Sequence, residues 1–197
     1  MFRTLGRYVR REAFPRRVEI LRGGEFWIAA IAGIIVALLA PHFASDTKLG
    51  DALTIVLAYA AIAFGFSVAG LTVALTLPDA EFVRELATME PKGAKLRSLK
   101  RKPNAYGDLL FVYSWTAILH WLVIMVAFVL VIVFGFDHRL GGSGISIETR
   151  AADGLLVFLL TYAAMQFLIT VITLSQIGHH YIEKLKKRGQ PEGRTCS

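Results

Sequence analysis

Four uninterrupted apolar runs constrain this chain more than any other feature. Residues 26–43, 53–77, 109–136 and 155–177 contain no Asp, Glu, Lys or Arg. Each is long enough to cross a hydrocarbon layer, which takes roughly 20 helical residues. Backbone N–H and C=O groups find no water in such a layer, so each run must satisfy them internally as a helix. With 55% hydrophobic residues over 197 positions, the composition is also too apolar for a water-soluble domain of this size. The expected fold class is an all-α membrane protein with four transmembrane helices in an antiparallel bundle.

The basic residues predict how the chain is threaded. Seven fall in 1–25, seven in 78–108 and five from 178 onward, against one in 44–52 and two in 137–154. Nineteen of the 22 therefore flank one side, which the positive-inside rule assigns to the cytoplasm. Both termini and the central loop are expected inside, N-in/C-in. The basic leader and the first run are both too long for a secretory signal, so the run at 26–43 is expected to remain as a span. The single cysteine, Cys196, rules out an intrachain disulfide framework. With no Asn-x-Ser/Thr site either, this points to a cell membrane of the bacterial inner-membrane kind.

Three organisational units follow: a basic amphipathic leader over 1–25, a transmembrane domain over 26–180 and a basic disordered tail over 181–197. The leader places Phe2, Leu5 and Val9 at helical spacing among arginines, the pattern of a helix lying on a membrane surface. In the loop after the second span, Thr76 and Asp79 have the spacing of a capping box. Phe82, Val83, Leu86 and Met89 share one face, predicting a short amphipathic helix that ends by Pro91. Anionic lipid headgroups are the expected partners of Arg10, Arg11, Arg16 and Arg17 and of Lys95, Arg97, Lys100, Arg101 and Lys102. The second set has no aromatic residues interleaved and is tethered close to the bilayer, so no nucleic-acid partner is expected.

Within the third run, SWTAILHWLVIM at 114–125 carries the one histidine of any run's interior, His120. Tyr113, Thr116 and His120 share a helical stripe, as do Tyr162, Gln166, Thr170, Thr173 and His180 in the fourth run and Tyr59, Ala63, Ser67 and Gly70 in the second. Counting 1.5 Å per residue from the cytoplasmic ends sets His120, Gln166, Thr170 and Ser67 at one depth, roughly 15–21 Å in. A polar side chain facing lipid is costly, so these groups and Thr116 are expected to meet inside the bundle, with Gln166 or Thr170 bonded to His120. Two roles stay open for the imidazole: interhelical fastening, or a proton-responsive group lining a passage.

Small residues line two faces of the second span (Ala58, Ala61, Gly65, Ala69 being the second face) and one of the first (Ala30, Gly33, Ala37, Ala40). Such faces let membrane helices approach closely, and the spare one suits a second copy of the chain. Segments 57–64 and 160–167 match in Leu, Tyr, Ala, Ala and Phe, a register that pairs Ser67 with Thr170 and hints at a two-helix repeat. No phosphate loop, zinc helix or nucleophile elbow occurs, so no enzyme activity, cofactor or metal is expected. His179–His180 reads as an interfacial anchor, and His42 with His138 lacks metal-ligand spacing. The leading expectation is a homo-oligomer that conducts or regulates passage of an ion or small solute. The alternatives are a membrane-embedded scaffold docking lipid or a soluble partner through its basic loop and tail, and an enzyme acting on lipid.

Overall fold

A computed structural model of the chain describes residues 16–39, 48–76, 80–88, 104–136 and 146–189. These form six helices: α1 (Arg17–Arg22), α2 (Gly24–Leu39), α3 (Leu49–Leu75), α4 (Ala80–Thr88), α5 (Ala105–Phe134) and α6 (Ile147–Gly189). Three are long and apolar enough to cross a membrane, over Gly50–Leu75, Ala105–Phe134 and Ile147–Lys186. The first apolar run gives a shorter helix, the 16-residue α2, and residues 40–43 lie outside the described set. It is extended backwards by α1 across a bend at Gly23. There the N–H of Gly23 donates to Ile20 O at 3.3 Å and that of Phe26 to Gly23 O at 3.2 Å. Those three-residue spans are tighter than an α-turn, and they break the helix at its glycine pair.

Local chemistry sets the other ends. Asn104 Oδ1 accepts from the Gly107 N–H at 2.6 Å and caps α5. Gly135 closes that helix at φ 78°, a backbone conformation that favours glycine. Ser146 Oγ accepts from the Thr149 N–H at 3.3 Å and opens α6. The expected capping box involves Asp79, which lies outside the described residues; the Thr76 hydroxyl donates to Thr72 O at 2.9 Å and finishes α3. The amphipathic helix of the central loop is present as α4, with Phe82 and Leu86 buried. The expected disordered tail needs correction. Residues 181–189 continue α6, because YIEKLKKR is rich in strong helix formers and contains neither Gly nor Pro. Residues 190–197 lie outside the described set.

α5 packs between α3 and α6, and α2 lies along α6. The start of α3 meets the end of α5, where the Gly50 N–H donates to Phe136 O at 3.0 Å. At the far end Tyr106 Oη donates to Ala74 O at 3.3 Å. α2 and α6 cross where both are bare. A Cβ on Gly33 would stand 2.6 Å from Gly154 O, and one on Gly154 2.8 Å from Ala37 Cβ. Two small faces thus bring the backbones together without a side chain between them. The deepest core joins Ala29 of α2, Ala60 of α3, Leu119 and Val123 of α5, and Tyr162 and Ala163 of α6.

Candidate functional site: a buried polar layer

The buried positions of α5 include Leu109, Tyr113, Thr116, His120, Val123, Ala127 and Leu130. They recur every three or four residues, so the polar stripe of the sequence lies on the packed face. Tyr113, Thr116 and His120 are each 0% exposed. Gly70 of α3 makes room for the first of these, since a Cβ there would run into the Tyr113 ring.

His120 Nδ1 lies 2.8 Å from Thr116 O, the carbonyl one turn back in its own helix. A carbonyl only accepts, so Nδ1 carries the proton. Nε2 of the neutral ring then accepts from Tyr59 Oη on α3, at a long 3.4 Å. Tyr59 is half-buried, and the Phe167 ring meets the imidazole edge-on at 6.0 Å. The expected bond from His120 to Gln166 or Thr170 is not made. The backbone contact at Nδ1 turns Nε2 toward α3 instead of α6.

The tighter link is one turn away. Thr116 Oγ1 and Thr170 Oγ1 are 2.8 Å apart across α5 and α6. The Thr170 hydroxyl donates to Gln166 O at 2.8 Å, which leaves Thr116 as the donor between the two threonines. Ser67 is fully buried, but its hydroxyl donates to Ala63 O of its own helix at 2.8 Å. Of the five residues the sequence singled out, Thr116, Thr170 and His120 are linked, Gln166 joins through its carbonyl, and Ser67 stays within α3. Tyr59 was legible as a member of the stripe with Ala63, Ser67 and Gly70, yet only the structure shows it facing the imidazole.

The helices α3 and α6 also echo one another in burial. Leu53, Ala60, Ala63 and Ser67 are buried, as are their register partners Leu156, Ala163, Gln166 and Thr170. Their tyrosines diverge: Tyr59 faces His120, whereas Tyr162 Oη accepts from Trp115 Nε1 at 3.4 Å.

A second polar group lies at the other end of α6. Phe82 of α4 packs its ring 5.0 Å from that of Tyr181. Lys184 donates to Glu85 at 2.5 Å and stands 3.8 Å from Glu81, while His180 Nε2 lies 3.6 Å from Glu85. The hydrogen bond from Lys184 holds the Glu85 carboxyl below the usual carboxylate range, with the nearby ammonium charge and His180 adding to it against a partial desolvation. At the leader, Arg16 makes contacts within the protein. It pairs with Asp108 at 2.7 Å and covers the Phe111 ring at 4.3 Å, leaving its side chain 16% exposed. Arg17 lies in α1, and Arg10, Arg11, Lys95, Arg97, Lys100, Arg101 and Lys102 lie outside the described residues. His42 and His138 are outside as well. Among the described residues no three His, Cys, Asp or Glu side chains gather as a metal site.

Fold and site together define a class: a helical chain whose three membrane-length apolar helices are joined by a buried polar layer. No protein-family model matches the chain, and no curated protein or solved structure matches it.

Proposed function

We propose that the chain is a four-span integral membrane protein of an inner-membrane type, with both termini cytoplasmic. In this reading several copies together conduct or regulate the passage of a small ion or solute. One observation carries it. The short side-chain bond between α5 and α6 is the 2.8 Å Thr116–Thr170 pair, and among the described residues the only interhelical hydrogen-bond partner of the fully buried His120 ring is Tyr59 at 3.4 Å. His120 is anchored within its own helix through Nδ1, and an ionisable side chain kept inside a membrane bundle with no short bond to another helix is a candidate working group. Tyr59 is half-buried and adjoins the exposed small-residue face of α3, where Gly65 has nothing near its Cβ position. A neighbouring copy on that face would bring the Tyr59–His120 pair to the contact between subunits.

Flux through proteoliposomes tests this. Protein-dependent flux is expected to vary between pH 5 and 8, the range in which imidazoles titrate, and His120→Ala is expected to remove that dependence. Protein that transports nothing at any pH, with His120→Ala changing only thermal stability, would defeat the reading.

The scaffold alternative has its own support in the docked α4. In that reading, the contacts of Glu81 and Glu85 with Lys184 hold α4 beside the extension of α6, where a soluble partner would dock. A soluble partner that co-purifies with wild-type protein and is lost when Lys95–Lys102 are neutralised would favour it.

A further inference from the structure

Glu85 of α4 faces two positions of α6 that are one helical turn apart, and its carboxylate oxygens divide between them. Oε2 accepts from Lys184 Nζ at 2.5 Å, whereas Oε1 lies 3.6 Å from His180 Nε2. The first is a hydrogen bond and the second is too long to be one. Among the described residues His180 Nε2 has no hydrogen-bond partner, although the atom itself is buried. The rest of the ring is reachable, since the side chain is 40% exposed and a proton from solvent can enter it. The imidazole also lies 6.1 Å from the ring of Phe82, which is fully buried, and the Lys184 ammonium stands 5.8 Å from that same ring. On α4, Glu81 lies 3.8 Å from Lys184 and Arg84 is exposed. On α6, His179 turns Nδ1 to Ser175 O at 3.2 Å, Tyr181 packs on Phe82, and Glu183 is exposed. In the first turn of α5, Asp108 is paired with Arg16 and Tyr106 donates to Ala74 O.

We propose that His180 is a pH-sensitive fastener of α4: on gaining a proton the imidazole becomes the second cation on Glu85 and clamps the short helix to α6. Whichever nitrogen holds the proton in the neutral ring, the charged ring presents an N–H at Nε2 and a positive charge beside Oε1. An adjustment of about 0.7 Å brings the 3.6 Å separation to the length of a charge-assisted bond, roughly 2.9 Å. The new charge stands one turn from Lys184, and the carboxylates of Glu81 and Glu85 balance the two cations. The face of the Phe82 ring favours a cation beside it as well. Docking is therefore tightest where imidazoles are charged and carboxylates ionised. It loosens as pH rises through the imidazole range, roughly 5–8. α4 leads into the basic segment 91–103, so its docking decides where that segment starts. The device needs neither a passage nor a second copy, and it stands whether or not the chain conducts.

Hydrogen–deuterium exchange of the purified full-length protein, expressed as protection factors, tests this at about pH 8 and about pH 5.5, across the range in which imidazoles titrate. Protection of α4 is expected to rise about two- to five-fold toward the lower pH, the scale of a partly exposed ion pair, while α5 stays unchanged. His180→Gln cannot take up the charge and is expected to hold α4 protection flat between the two conditions. Glu85→Gln, which removes the acceptor, is expected to be flat too, whereas His179→Gln is expected to keep the rise. Equal wild-type protection of α4 at both pH values overturns the proposal without any variant. So does a rise that survives His180→Gln or Glu85→Gln, because the proton would then act elsewhere. A rise shared equally by α5, or one lost in His179→Gln, overturns it in the same way.

Discussion

Single residues show where the sequence spoke clearly. The stripes holding Thr116, His120, Gln166, Thr170 and Ser67 were readable because a helix period places them on one face, and all five are buried. Their pairing was not readable, since it turns on which rotamer brings a hydroxyl or ring nitrogen across an interface. The Thr116–Thr170 bond is the clearest case for measurement. Thr116→Val keeps the shape and removes one donor, while Thr170 still donates to Gln166 O. A double-mutant cycle with Thr170→Val in detergent unfolding is expected to give a coupling of about 1 kcal/mol, the usual scale for membrane hydrogen bonds. No coupling would mean the hydroxyls do not hold α5 to α6. Glycines divide by surroundings in the same way. Gly33→Ala would drive a Cβ to 2.6 Å from Gly154 O and 2.9 Å from Phe158 Cβ, and is expected to cost about 1–3 kcal/mol as overpacking does. Unchanged unfolding of that variant would deny the close crossing of α2 and α6.

At the level of helices, element type was legible from the apolar runs and from the face of α4, whereas lengths were not. The continuation of α6 to Gly189 was missed because charge was read as disorder, although Lys, Glu and Leu are also good helix formers. The bend at Gly23, which sets α1 off from α2, was missed because the run was counted from its first apolar residue, with the glycine pair before it left out. α4 has nine residues, too few for an isolated helix to persist in water, so its packing on α5 and its side-chain contacts with α6 maintain it. Glu85 is depressed in the folded protein by Lys184. Its contribution is therefore present above the unfolded carboxyl value, roughly 4.3, and is lost as pH falls through the lower folded value. Amide exchange in α4 is expected to stay slow at neutral pH and to rise on acidification below that range, with Glu85→Gln exchanging fast already at neutral pH. Protection of α4 that ignores both acid and the substitution would show that Phe82 and Leu86 hold it alone.

For the molecule as a whole, the threading and the assembly each admit a direct readout. Cys196 is the only cysteine, so an impermeant maleimide reports on the tail without further engineering. Labelling is expected only after the membrane of right-side-out vesicles is opened, and labelling of sealed vesicles would reverse the orientation proposed above. Gly65 is exposed with open space at its Cβ position, so within one chain nothing opposes a larger side chain. Gly65→Leu is expected to leave the melting of the single chain unchanged while reducing the species in detergent to a monomer. A wild type that is already strictly monomeric would remove the case for a passage shared between copies.

The 43 residues of α6 form one helix, a rod of roughly 65 Å at 1.5 Å per residue. Its two functions as a packing element, Tyr162 and Thr170 at one stretch and Lys184 at another, are therefore locked in angular phase. Inserting a single alanine between Ile177 and Gly178 would swing Lys184 and Tyr181 by about 100° around the axis and carry them off Glu85 and Phe82, while the contacts of Tyr162 and Thr170 keep their register. A twist imposed at one tip of such a shaft would reach the other, so the polar layer and the Lys184 contact turn together.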